Sequence, residues 1–541
     1  MTQRCSSVRK QGVNKVISSG KEILARHRVR WRRTKCSILV HPGRSERVYE
    51  VDENGGRTSP PEFKVVDSGI EVLGTPVGTQ GFRREMLETA FTAMAMPLPA
   101  LTRITSQSAY ILLQQCFNAR PCFLTRVSEP DLYMSFAHIF DNAIDEALAA
   151  IALTELTPEI STLRSLPQSM GGLSLTRHCG PQSEKGCLAS RVLTKDFVEK
   201  HRPELARGME RWRPMVIGGD DTGRRQQAER LIEAAEESFA ELDLSLPRDL
   251  QLLLADHKYT WMTLYKKLLD SGRRHHAAWL VSSSSIGTGK WLNWRGGFEG
   301  RLRFSKDEFV EALRLRLLVD PFPNPGDKVC PLCGLVRFAE SPLHVLDCAV
   351  LRPSQKSRHD IVGIHLANAL KKCFPEAQVR REHTVSCNEA ETTLQADIHM
   401  ERGPRVFIFD VAVVDPAAPS YLSHDSYKEE NVAAKQREAA KRAEWTARGG
   451  VNNAEFIPFV VEASGRMGPS ALSYFMNKLV SAEGPYIAKS FLMNMNFSIA
   501  RANARMILEC RRGHRLARPA PPAPQAAARS GGLRSGGGSS E

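Results

Sequence analysis

No stretch of this sequence stays apolar for the roughly 18 residues that a membrane-spanning helix needs, so nothing in it calls for a bilayer. Acidic residues are nearly absent from the start: residues 1–35 hold one, Glu22, and they also lack the apolar core and small-residue cleavage site of a secretory signal. A basic helix is the expectation there, with a mitochondrial transit peptide as the alternative. Cysteine is sparse, 12 in 541 residues, and without a secretion signal the thiols should be reduced. A close cluster among them therefore points to metal before disulfide. A complete phosphate-cradling loop is missing too. "SIGTGKW" (285–291) contains Gly-Lys, but the first glycine of the pattern is absent and Trp291 stands where a hydroxyl is required, so the segment reads as a plain loop. Asp220 and Asp221 lack the apolar hairpin that a polymerase builds around its metal acids. Lying between glycines and an arginine pair ahead of a helical run, they read as a helix cap.

Basic residues are what the chain has in excess: 74 Lys and Arg against 60 Asp and Glu, a formal charge of +14. Clustered cations gain by releasing counterions from phosphates, so a nucleic acid is the first partner to expect and an anionic membrane surface the second. An apolar content of 42% is ample for buried cores, and the length suits about three domains. Residues 36–78 alternate short β-like runs ("CSILV", "EFKVV", "IEVLGTPVG") with turn residues such as "DENGG", which predicts hairpins. From about 83 to 160, apolar residues recur at helical spacing. Further helices are expected over 183–200, 223–242 and to residue 270, so 80–320 reads as a helical layer. The final "PAPPAPQAAARSGGLRSGGGSSE" has too little apolar surface to order itself.

Four soft ligands crowd into residues 330–348. Cys330 and Cys333 are spaced C-x-x-C, a turn that aims two thiolates at one ion, while His344 and Cys348, spaced H-x-x-x-C, are predicted to share one face of a helical turn. Gly334 permits the tight backbone after the second thiolate. Four such ligands close a tetrahedral shell, so the expected zinc is structural; the alternative is two core cysteines beside an unrelated histidine.

Downstream, "LQADIHMERGPRVFIFDVAVV" (394–414) predicts two strands joined at Arg402-Gly403-Pro404. Asp397 falls near the start of the first, and Asp410 lies inside a strongly apolar run where an uncompensated charge is costly. A divalent metal shared by the two acids would satisfy Asp410, and so would an arginine partner or a place at the strand end. "YKEENVAAKQREAAKRAEW" (427–445) predicts a charged helix carrying Lys428, Lys435 and Lys441.

In the order C-x-x-C, H-x-x-x-C, "SRHD", "ADI", "FDVAVV", "KRAEW", the chain resembles the C-terminal half of non-LTR retrotransposon proteins, in which a zinc knuckle precedes a restriction-like endonuclease of the PD-(D/E)xK fold. The resemblance implies an α+β multidomain protein: a palm-end-like β segment with a basic N-terminus (1–80), a mainly helical thumb-like region (81–320), a small zinc knuckle (321–355), an α/β restriction-endonuclease-like domain (356–485) and a C-terminal helix with a disordered tail (486–541). It implies Asp397 and Asp410 as Mg²⁺ ligands, Lys441 as the catalytic lysine, and Glu382 as a further carboxylate. Ala396 replaces the motif proline and Ala412 occupies the usual lysine position, so activity would rest on Lys441 or on Lys435. Trp445 stands where the family often has Tyr. "KCSILV", "GIEVLGTPVG" and "LPQSMGGLSL" resemble the end of a reverse-transcriptase palm and the segment after it. The family's polymerase aspartates would precede residue 35, so primer extension is not expected. Arg352, Lys356 and Arg358 are expected to hold phosphates. The implied activity is DNA nicking, with DNA and element RNA as partners, no membrane, and a nuclear location or, failing that, a cytoplasmic one. A catalytically inactive nucleic-acid-binding remnant is the principal alternative; a zinc-stabilised scaffold is a third.

Overall fold

The computed structural model describes residues 37–39, 50–51, 57–58, 64–179, 194, 197–201, 257–293, 303–322, 328–386, 393–451, 453–480 and 485–516. The basic residues 1–36, the Asp220-Asp221 pair, the helix expected at 223–242 and the tail after residue 516 lie outside them. The chain divides into two units, residues 1–167 with 172–266, and residues 168–171 with 267–541. No helix among the described residues is long and apolar enough to cross a membrane.

In the first unit two of the expected hairpins form and are short, the first pairing Glu50–Val51 with Arg57–Thr58. Ser37–Leu39 instead runs parallel to Lys64–Val66, so these two runs are not a hairpin. Strands β1 (Gly69–Val72) and β2 (Thr75–Gly78) close a two-residue turn at Leu73 and Gly74, whose φ values of +53° and +81° are the left-handed pair that such a hairpin demands. Helix α1 (Gln80–Ala95) starts where the Thr79 hydroxyl accepts from the Phe82 N–H. Helix α2 (Pro130–Ala152) buries Tyr133, Phe140, Ile144, Leu148 and Ile151 at helical spacing, as the sequence predicts. The Arg164 guanidinium at the end of α3 (Pro158–Ser165) is fully buried against Asp141 and Asp145 of α2, at 2.7 and 2.6 Å. Asp141 also accepts from the N–H groups of His178 and Cys179, which ties the chain after "SMGGLSL" to α2.

The second unit contains α4 (Arg274–Ser283), α5 (Lys306–Arg316), α6 (Arg352–Cys373), β3 (Gln378–Ser386), β4 (Thr393–Arg402), β5 (Arg405–Val414), α7 (Val432–Ala447), β6 (Ala454–Glu462), α8 (Pro469–Tyr474) and α9 (Pro485–Leu516). The chain is thus a mixed α and β protein, but the helices α4 and α5, expected to belong with the helical layer, fall in this unit. Trp291 of the "SIGTGKW" loop is buried here against Phe304 and Phe309. Ser305 and Glu308 form a reciprocal capping box at the start of α5.

Its sheet runs in the order β6-β5-β4-β3, with β6 parallel to β5 and the other pairs antiparallel. β4 and β5 join through Gly403-Pro404, where Gly403 takes φ +57°. A parallel neighbour needs a crossover, and α7 supplies it between β5 and β6. Odd-numbered residues of β5 (Phe407, Phe409, Val411) join the core formed with α6, α8 and α9, while Ala412 and Val414 meet Ala433 and Ala434 of α7 on the other face. Period-two alternation therefore sends Asp410 toward α7.

Candidate functional site

Two constellations stand side by side in sequence within this unit. The first is the cysteine cluster. Val329 bridges to Arg337, the Cys330 N–H donates to the Val336 carbonyl at 2.8 Å, and Gly334 at φ +68° returns its N–H to the Cys330 carbonyl. This tight turn points both thiols inward. His344 and Cys348 do not share a helical turn: His344–Leu346 and Ala349–Leu351 are separate single 3₁₀ turns, and Cys348 sits between them in extended backbone. The ligand atoms nevertheless converge. All four lie within 4.8 Å of one another, with Cys330 Sγ 4.0 Å from Cys348 Sγ and Cys333 Sγ 3.3 Å from His344 Nε2. A tetrahedral zinc shell sets neighbouring donors roughly 3.5–3.8 Å apart, so the group could hold a metal ion such as zinc.

Electrostatics fit the same use. A thiol from α9, Cys510, hydrogen-bonds to Cys330, and with His344 and two turn N–H groups it brings the Cys330 thiol down to about 3. Burial, with the charge of Cys330 and Cys333, pushes Cys348 up to about 12. Burial would lower the His344 pKa, yet its hydrogen bonds to Cys330 and Cys333 raise it overall. Such a crowd of thiols shares protons that a divalent cation would displace. The knuckle is anchored on both sides: Gln355 of α6 donates to the Cys348 carbonyl at 3.0 Å, and Leu332 lies against Gly513 of α9.

The second constellation is on the sheet. The β4–β5 ladder runs from Arg402↔Arg405 to Ile398↔Phe409 and stops; one further step would set Asp397 opposite Asp410. The β3–β4 ladder skips the same level, where Glu382 would face Asp397, and Glu382 has φ +51°. Asp397 thus lies mid-strand, not at the strand start. Alternation is broken there as well, since Ala396 and Ile398 belong to different apolar clusters although two residues apart. Left-handed backbone at a non-glycine residue inside a strand is strained, and such strain concentrates at functional positions.

Around this interruption the side chains pair off. Lys441 Nζ donates to Asp410 Oδ1. Asp397 Oδ2 accepts from the Val411 N–H at 2.7 Å and lies 3.2 Å from Nε2 of His359, an α6 residue. Burial raises the Asp410 pKa, with Lys441 opposing and Asp397 adding to the rise. Burial acts upward on Asp397 too, but the His359 hydrogen bond and charge outweigh it and the pKa falls. The Asp397 hydrogen bond lifts His359 to about 9.

The remaining candidates separate. Lys435 is exposed, as is Lys428, which lies before the helix and pairs with Asp425. Glu382 is exposed and pairs with Arg381 at 3.4 Å. Trp445 stacks on Phe456. Arg352 and Lys356 are exposed on α6, but Arg358 is not a surface cation: it is buried, with Nη1 2.8 Å from Asn503 Oδ1 and Nη2 3.5 Å from the Leu346 carbonyl. A basic stretch read without its helical phase cannot distinguish the inward arginine from its outward neighbours. His359 lies within "SRHD", where local spacing gives it no role. Cys510 comes from α9, far along the chain from the knuckle, and no local spacing signals it.

In comparisons with known proteins, no family model and no curated protein matches this sequence.

Proposed function

We propose that this chain is the zinc-knuckle and nuclease half of a protein of the non-LTR retrotransposon type, and that it nicks DNA with Mg²⁺ held by Asp397 and Asp410. The observation that carries this reading is the meeting of two carboxylates from neighbouring strands with a lysine from the crossover helix, at the level where both ladders are interrupted. Carboxylate oxygens are the hard donors that Mg²⁺ prefers. When bound, the ion would activate a water and neutralise charge on the phosphate. Lys441, held on Asp410 by α7, is the group that would orient that water or take its proton. Exposed Arg352 and Lys356 would contact phosphates, which position DNA without reading sequence. The knuckle, with zinc on Cys330, Cys333, His344 and Cys348, would serve as a rigid platform between α6 and α9. The helical region before it would be the thumb-like part, element RNA a second partner, and the nucleus the site of action.

Supercoiled-plasmid nicking with Mg²⁺ or Mn²⁺ tests the proposal. Asp397→Ala should lower the rate on the order of a hundredfold or more while DNA binding persists. Nicking that survives Asp397→Ala rejects the site. Salt-dependent DNA binding without any nicking by folded wild type would instead identify an inactive nucleic-acid-binding remnant.

A further inference from the structure

We propose that His359 is a positioning residue of the carboxylate site: it pins one oxygen of Asp397 so that the other is presented to the cation. This deepens the nuclease reading and rests on it. Beyond the last β4–β5 rung, Val411 of β5 has no partner on its β4 side, although it still pairs with Phe459 of β6. Its N–H is taken by Asp397 Oδ2 at 2.7 Å, and its carbonyl accepts from His359 Nε2 at 3.0 Å. A side chain from β4 and one from α6 thus replace the backbone groups that the parted strand would have supplied.

Since a carbonyl can only accept, Nε2 must carry a hydrogen, and that same N–H lies 3.2 Å from Asp397 Oδ2. His359 Nδ1 in turn faces Asp360 Oδ1 at 3.0 Å, which fixes the ring's rotation. Asp360, His359 and Asp397 form a chain in which each group orients the next. The Val411 and His359 contacts both fall on Oδ2, so Oδ1 is the oxygen they leave for a ligand. Partners that orient a metal-binding carboxylate in this way typically govern metal affinity by 10- to 100-fold. A plain structural role would be narrower: His359 would only satisfy the Val411 carbonyl, and its removal would loosen the sheet without touching cation binding.

Mn²⁺ titration of the full-length protein, followed by the loss of the free-ion EPR signal, separates the two roles when run beside thermal melts and nicking at graded Mg²⁺. His359→Ala should weaken Mn²⁺ binding about 10- to 100-fold and raise the half-saturating Mg²⁺ for nicking by the same factor, so that excess Mg²⁺ recovers most of the lost rate. His359→Gln, which keeps a donor near the Nε2 position, should recover most of the affinity. Asp397→Ala is the reference for loss of the site. If His359→Ala melts lower yet binds Mn²⁺ like wild type while Asp397→Ala does not, the positioning role is overturned and the nuclease reading stands. If wild type and Asp397→Ala bind Mn²⁺ equally, both fall together.

Discussion

Lys441 and Asp410 are unequal partners. The lysine side chain is 6% exposed and the aspartate 27%. An ammonium held that deeply has no water to turn to when its carboxylate is removed, whereas the carboxylate retains some. Asp410→Ala should therefore destabilise by about 2–4 kcal/mol, near the cost of breaking a buried pair, and Lys441→Ala by roughly 1 kcal/mol. The double change to Ala and Met should recover most of the first loss. Urea melts decide this; equal losses from the two single variants would show that burial does not set the cost. The same asymmetry marks what the sequence reveals at this scale. A charge inside "VFIFDVAVV" announces that it needs a partner, but only the fold says that the partner comes from a helix 31 residues away. His359 is less legible still, because its bonds to Asp397 and Val411 span two other elements.

At the scale of elements, the knuckle is the clearest case of sequence spacing that survives a wrong local structure. C-x-x-C fixed a turn, and Gly334 supplied its left-handed residue. His344 and Cys348 reached the same point through two 3₁₀ turns in place of the expected helical one, since ligand convergence constrains where donors end and not the backbone route. The parallel β5–α7–β6 crossover was legible only in part: the strand and the charged helix stood out, but period-two alternation was needed to show that Asp410 faces that helix. Because the knuckle rests on α6 and on Cys510 and Gly513 of α9, its metal should also steady the end of α9. Reduced protein should carry one zinc, and Cys330→Ser or His344→Ala should release it and speed tryptic cleavage at Arg511 and Arg512. Elemental analysis and timed digestion check both; reduced protein that holds and takes up no zinc would overturn the assignment.

For the molecule as a whole, one buried charge centre ties distant segments together. Burial pushes Asp415 up to about 7, with Asp347 and Glu462 adding to the rise and Arg358 opposing it. Burial raises Glu462 and Asp347 as well. An acid whose folded pKa lies above its unfolded value binds more protons when folded, so its contribution is complete below about pH 4 and is lost as pH rises through about 7. Melting temperature should accordingly fall between about pH 4 and 7. Asp415→Asn keeps an oxygen to accept from the Ala417 N–H and should flatten that slope; an unchanged slope would remove Asp415 as its source.

The interrupted sheet has one more consequence. Its outer strands are β6 and β3. β6 is buried from Ile457 to Glu462, whereas β3 carries exposed Arg380 and Arg381 ahead of the left-handed kink at Glu382. Exposed strand margins invite stacking by stray chains, and charge and a twisted backbone are the usual deterrents. The kink that marks the carboxylate level should thus also deter fibrillar self-assembly: straightening β3 with Glu382→Thr while neutralising Arg380 and Arg381 would leave a flat, uncharged ribbon, and faster thioflavin-positive aggregation of that variant than of wild type is the expected outcome.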